Sequence, residues 1–132
     1  GLALDGRPVV ALLGDQTIRH DLSGLAQLAE SNLPVVVVGV DNGGGQIFRD
    51  LPFAADVSLE DFVSPRSTDL GAVANALGFR TIVAEDRESF AQGFAALAAT
   101  GTPSFLHAKL APEAEQFRLE ANQMVSSVCR PS

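Results

Sequence analysis

Two short apolar runs, Pro8-Val9-Val10-Ala11-Leu12-Leu13 and Val35-Val36-Val37-Val38-Gly39-Val40, constrain this chain more than any other feature. Each is too short for an ordinary helix and lacks the alternation of a half-solvated strand. The second is β-branched almost throughout. Both therefore read as strands buried on both faces of a parallel sheet. Each run ends on a polar turn: Gly14-Asp15-Gln16-Thr17 after the first, Asp41-Asn42-Gly43-Gly44-Gly45 after the second. Asp15 and Asn42 are separated by the length of one strand–helix–strand unit, which returns both to the same carboxyl edge of such a sheet. A carboxylate and an amide oxygen meeting beside glycine-rich backbone make a hard oxygen site, suited to Mg2+ holding a diphosphate.

The rest of the chain continues the alternation. Asp21 is placed to cap a helix carrying Leu22, Leu25, Leu28 and Ala29 to about Ser31, broken by Asn32-Leu33-Pro34. An irregular stretch from Asp41 to about Thr68 follows, and loops of that length in a domain are usually functional or mobile. Asp69 caps a helix with Leu70, Val73, Ala74 and Leu77, stopped at Gly78. Arg80–Ala84 reads as a third strand, Arg87–Ala99 as a helix with Phe90, Phe94 and Leu97 on one face, and Ser104–Ala108 as a fourth strand after the Gly101-Thr102-Pro103 turn. Pro112–Val128 reads as a final helix. The expected fold class is α/β: three layers, an open parallel sheet with helices on both faces and right-handed crossovers. The 132 residues suit a single domain, 1–132. Gly1-Leu2-Ala3-Leu4, closed by Asp5-Gly6, reads as the last turn of an earlier helix, so a fragment truncated at its N-terminus is expected.

Charge narrows the partners. A net charge of −7 argues against nucleic acid or an anionic membrane surface, either of which wants a basic face. The single cysteine, Cys129, excludes an internal disulfide and a cysteine-rich zinc site, and reads as incidental. No apolar run approaches membrane-spanning length, so a cytoplasmic protein is expected.

At the sheet edge, Gly14 reads as a turn that a Cβ would obstruct, with Asp15 projecting into the edge crevice. Thr17 offers a hydroxyl, and the helical turn around it offers free N–H groups to a phosphate. Asn42 supplies a neutral amide oxygen. Gly43, Gly44 and Gly45 permit close backbone approach, and one of their carbonyls can be a third metal ligand. Either segment alone is also an ordinary cap or turn; the pair at this spacing is the informative feature.

The pair resembles the fingerprint of the thiamine diphosphate-dependent enzymes, Gly-Asp-Gly followed after an interval by Asn-Asn. Gln16 stands for its second glycine and Asp41 for its first asparagine. A narrower likeness is to the 2-succinyl-5-enolpyruvyl-6-hydroxy-3-cyclohexene-1-carboxylate (SEPHCHC) synthases of menaquinone biosynthesis. It rests on Gly14-Asp15-Gln16-Thr17 with His20-Asp21-Leu22-Ser23-Gly24-Leu25, and on Asn42-Gly43-Gly44-Gly45-Gln46-Ile47-Phe48 with Leu51-Pro52. Phe62-Val63-Ser64-Pro65-Arg66 with Asp69-Leu70 resembles a further segment, with Ser64 for threonine and Arg66 for histidine.

The resemblance implies a thiamine diphosphate-binding fold, with Gly14, Asp15, Gln16, Thr17, Asn42, Gly44, Gly45 and Ile47 at the cofactor. Mg2+ would be held by the side chains of Asp15 and Asn42 and the carbonyl of Gly44. Ile47, Phe48 and Leu51 would line the substrate pocket. The implied reaction is decarboxylation of 2-oxoglutarate and addition to isochorismate, with the chemistry carried by the cofactor. A second, pyrimidine-binding domain would supply the activating glutamate. No segment here resembles that domain, so the chain alone is expected to be inactive, and the whole enzyme to be a homo-oligomer. Catalytic residues within the chain are not assigned.

Other residues carry less. His20, before a helix cap, reads as a structural hydrogen-bonding group, and His107, inside the fourth strand, as packing or surface. Arg49 and Arg66 are placed to meet substrate carboxylates or to be solvated. Another thiamine diphosphate-dependent 2-oxoacid decarboxylase, of phosphonopyruvate or sulfopyruvate type, would suit the same motifs. A non-catalytic α/β binding module is a further reading, although the paired acids of a receiver-like domain are missing after the first strand.

Overall fold

A computed structural model of the chain describes residues 8–44 and 68–110. These form β1 (Val9–Gly14), α1 (Asp15–His20), α2 (Leu22–Glu30), β2 (Val35–Asp41), α3 (Leu70–Ala76), β3 (Arg80–Ala84), α4 (Arg87–Ala98) and β4 (Ser104–Lys109). The strands make one parallel sheet in the order β1-β2-β4-β3. The expected helix Pro112–Val128 lies outside the described residues.

The strands form where the apolar runs dictate, and alternate side chains divide between two cores. Val35, Val37 and Phe105 face α1, α2 and α3, packing with Ile18, Leu25, Leu70, Ala74 and Phe79. Val36, Val38, Leu106 and Ala108 face α4, packing with Ala84 and Leu97 against Phe90 and Phe94. Outward connections (β1 to β2, β2 to β3) thus cross one face, and the return from β3 to β4 crosses the other. Right-handed crossovers require this arrangement. The expected three-layer, open parallel sheet is the observed one.

β1 departs from expectation. Its burial alternates along the strand, with Val10 49% and Leu12 70% exposed. These two side chains share the α4 face of the sheet, and α4 packs mainly on β3, β4 and β2. A continuous apolar run therefore marked a strand correctly but not burial of both its faces. A second difference is α1, a separate helix of six residues before the one that Asp21 caps.

Aspartate side chains cap three helices. Asp21 accepts from Gly24 N–H at 2.8 Å, Asp69 from Ala72 N–H at 3.0 Å and Asp86 from Ser89 N–H at 2.7 Å. The last is a reciprocal capping box with the Ser89 hydroxyl. The Ala72 N–H bond holds the Asp69 carboxyl below its ordinary 3.8, and the Ser89 N–H bond does the same for Asp86. A carboxyl whose folded pKa is depressed stabilises the fold fully above its ordinary value and ceases to as pH falls through the folded pKa. Asp86→Asn keeps a good cap but cannot titrate. It is expected to lose less melting temperature than wild type between about pH 5 and about pH 2.5. An acid limb identical to wild type in calorimetry would refute the linkage.

Candidate functional site at the carboxyl edge

The strand register brings the two motif turns to one edge. Gly14 is paired with Val40, so Asp15 emerges from β1 level with the end of β2, one step short of Asn42. Asp15 is the first residue of α1. It is only 4% exposed, held down by Ile18 three residues on, which packs into the core. Its Oδ1 accepts from Gln16 N–H at 2.7 Å, while Oδ2 is buried without a hydrogen-bond partner among the described residues. An unmatched buried carboxylate oxygen is costly. A bound cation is the simplest group that would satisfy it.

Gly14 corrects one expectation. Its backbone is extended (φ −76, ψ 158), and a Cβ built there would meet nothing within 4 Å among the described residues. The turn itself does not require glycine. What glycine leaves is open room against the backbone at the edge of the sheet.

The second turn does require glycine. Gly43 (φ 83) and Gly44 (φ 93) both lie in the left-handed region. Asp41 Oδ1 accepts from Gly43 N–H at 3.0 Å, and Asn42 Oδ1 accepts from Gly44 N–H at 3.3 Å. Successive side chains thus fold the backbone over the end of β2. Gly44 is buried and Asn42 half-buried. Gln16 is half-buried and Thr17 exposed on α1. Gly45, Ile47, Phe48, Leu51, Arg49 and Arg66 lie outside the described residues, as does Cys129.

His20 is exposed at the end of α1, and its ring forms no hydrogen bond among the described residues. His107 is fully buried, so the packing alternative holds and the surface one does not. Its ring bonds at both nitrogens: Gly71 N–H donates to Nδ1 at 3.2 Å, and Nε2 meets Asp41 Oδ2 at 3.0 Å. Sequence reasoning missed this link. The available signal was Asp41 itself, an acid where the resembled motif has an amide.

Among the described residues no three His, Cys, Asp or Glu side chains gather as a metal cage. The edge offers one carboxylate and one amide oxygen beside left-handed glycine backbone. That donor set fits a hard cation which keeps water and phosphate oxygens as its remaining ligands. No described helix is long and apolar enough to cross a membrane.

Fold and edge together define an open parallel α/β domain that presents its two motif turns beyond the carboxyl ends of β1 and β2, where ligands bind in such sheets. A family model described as "Thiamine pyrophosphate enzyme, C-terminal TPP binding domain" matches residues 1–108. The chain belongs to this family, the cofactor-binding C-terminal domain of thiamine diphosphate-dependent enzymes. Among curated relatives, the SEPHCHC synthase of Desulfitobacterium hafniense is 35% identical over 95 residues, covering 71% of this chain and 17% of that protein. That of Pectobacterium carotovorum is 28% identical over 122 residues, covering 92% of this chain and 21% of that protein. The chain thus spans about a fifth or less of the relatives it matches.

Solved structures agree on the fold. Benzoylformate decarboxylase from Polynucleobacter necessarius superposes with a TM-score of 0.73 at 17% identity, over 81% of this chain and 20% of that one. The thiamine diphosphate-dependent 4-hydroxybenzoylformate decarboxylase of Rhodococcus jostii gives 0.70 at 20% identity, over 80% of this chain and 20% of that one.

Proposed function

We propose that this chain is the part of a SEPHCHC synthase that anchors thiamine diphosphate through Mg2+. The observation that carries the metal is Oδ2 of Asp15, buried and without a partner among the described residues, at the same edge as the Asn42 turn. Asp15 and Asn42 would hold the ion by their side chains and Gly44 by its carbonyl. Gly14 leaves room for the diphosphate to approach the backbone, with Gln16 and Thr17 beside it. When bound, the cofactor supplies the carbon centre at which a 2-oxoacid loses carbon dioxide and its acyl remainder is passed on.

The residues of this chain bind and orient. Asp15 neutralises the ion that neutralises the diphosphate, and the glycine turn shapes the cradle. Ile47, Phe48 and Leu51 would present an apolar wall to the substrate. The likeness to named SEPHCHC synthases supports 2-oxoglutarate as donor and isochorismate as acceptor. A pyrimidine-binding domain of the same enzyme would complete the site within a cytoplasmic homo-oligomer.

The test is calorimetric titration of thiamine diphosphate into the full-length protein, with and without Mg2+. Binding is expected only with the ion. Gly14→Ala suits the extended backbone at this position and is expected to leave the apo melting temperature unchanged or slightly raised. Its new methyl occupies the cradle and is expected to weaken cofactor binding about tenfold or more. Binding indifferent to Mg2+ would defeat the metal reading, and full affinity in Gly14→Ala would defeat the close approach at β1.

A further inference from the structure

We propose that Asp41 and His107 form a positioning pair that holds the Asn42–Gly44 turn in its cofactor-binding shape, and that this pair is the reason an aspartate occupies position 41. The proposal rests on the cofactor reading of that turn. His107 is fully buried in β4, between Leu106 and Ala108, where an imidazole is tolerated only if both nitrogens are bonded. Gly71 N–H donates to Nδ1, so Nδ1 carries no proton and the neutral ring must carry it on Nε2. Nε2–H then donates to Asp41 Oδ2. Asp69 Oδ1 lies 3.6 Å from Nδ1, too far for a hydrogen bond, and already accepts from Ala72 N–H.

The direction of every bond follows. The start of α3 donates to His107, His107 donates to Asp41, and Gly43 N–H donates to the other oxygen of the same carboxylate at 3.0 Å. The backbone carbonyl of Asp41 also accepts from Leu110 N–H at 2.8 Å, which continues the ladder between β2 and β4. Asp41 thus ties the glycine turn to β4 and, through His107, to α3. Both its carboxylate oxygens are engaged in holding the turn.

An asparagine in place of Asp41 cannot do the same. Two N–H groups point at this side chain, and an amide has one acceptor oxygen. Either His107 Nε2–H or Gly43 N–H would face an NH2 group. Moving the His107 proton to Nδ1 only transfers the conflict to Gly71 N–H. The side-chain contact with Gly43 holds left-handed backbone in place, so losing it releases the turn on which the metal and diphosphate rest.

The test uses Mg2+-dependent binding of thiamine diphosphate to the full-length protein. Asp41→Asn is expected to weaken binding about tenfold to a hundredfold. His107→Gln keeps a donor at the position of Nε2 and is expected to stay within a few-fold of wild type. In the double variant, the introduced glutamine turns its carbonyl toward the NH2 of the introduced asparagine. That frees the asparagine oxygen for Gly43 N–H, so affinity is expected to return to the level of His107→Gln alone. A purely structural loss would not be rescued by a second substitution. Wild-type affinity in Asp41→Asn, or no rescue in the double variant, would overturn the pair. Failure of the wild type to bind cofactor would instead defeat the proposed function. The pair is then decided by the imidazole nitrogen resonances of His107 in the cofactor-free protein: a fixed Nε2–H form supports it, and an Nδ1–H form refutes it.

Discussion

Asp15→Asn is expected to remove Mg2+-dependent cofactor binding while leaving the cofactor-free protein as stable as wild type or more so. The two effects have opposite signs because they arise from the same atom. In the absence of a cation, Oδ2 of Asp15 is a buried carboxylate oxygen without a partner among the described residues. Such a group costs on the order of 1–3 kcal/mol, more when charged. Asparagine keeps an acceptor for the Gln16 N–H bond at 2.7 Å and removes the charge. The expected gain is a rise of a few degrees in apo melting temperature. With Mg2+ and thiamine diphosphate, wild type is stabilised by linkage, about 2.7 kcal/mol at a hundredfold excess over Kd, and the variant is not. The melting curves of the two proteins therefore exchange order when cofactor and Mg2+ are added. A variant less stable than wild type without cofactor would mean that Asp15 serves the fold, and a variant still stabilised by cofactor would mean that it does not serve the metal.

The legible part of this protein is what neighbouring residues decide. Val35–Val40 is a buried strand because no other local structure suits a β-branched run, and Asp21 and Asp69 cap helices because an aspartate before apolar residues at helical spacing does little else. The edge position of Asp15 and Asn42 followed from the ends of two runs and the rules of parallel sheets. What stayed hidden depends on neighbours distant in sequence. Val10 and Leu12 are exposed where α4 packs mainly on the other three strands, and nothing within Pro8–Leu13 reports the width of a helix layer. His107 reads as a lone polar residue in an apolar strand until the order β1-β2-β4-β3 sets β4 beside β2. Only then do Asp41 and His107 meet. The departure of Asp41 from the Asn-Asn pattern was visible, but its cause lay on another strand. Asp86 was missed for a simpler reason: reading the helix from Arg87 overlooked the cap one residue earlier.

Phe105→Ala and Gly39→Ala are expected to be strongly destabilising singly and far less than additive together. Phe105 is fully buried and meets Phe79 edge-on, with ring centroids 6.1 Å apart. Truncating it leaves a cavity and costs about 3–5 kcal/mol. A Cβ on Gly39 would sit 2.5 Å from Phe105 Cζ and 2.9 Å from Ile18 Cδ1. Overpacking of that kind costs about 1–3 kcal/mol. With the Phe105 ring gone, the severest clash disappears and the new methyl enters the vacated space. Only the end of Ile18 must then yield. Urea unfolding of the four proteins in a double-mutant cycle is expected to show a favourable coupling on the order of 1–3 kcal/mol. Additivity to within about 0.5 kcal/mol would refute the contact. The same contact matters for the site. Ile18 is on α1, three residues beyond Asp15, and Gly39 is on β2, paired with His107 and two residues before Asp41. Gly39 lets Ile18 and Phe105 close over β2, so it sets how α1 sits against the sheet and how the two motif turns face each other. Gly39→Ala is therefore expected to weaken Mg2+-dependent cofactor binding although it touches neither turn. Phe105→Ala in the same chain should recover part of that affinity along with the stability.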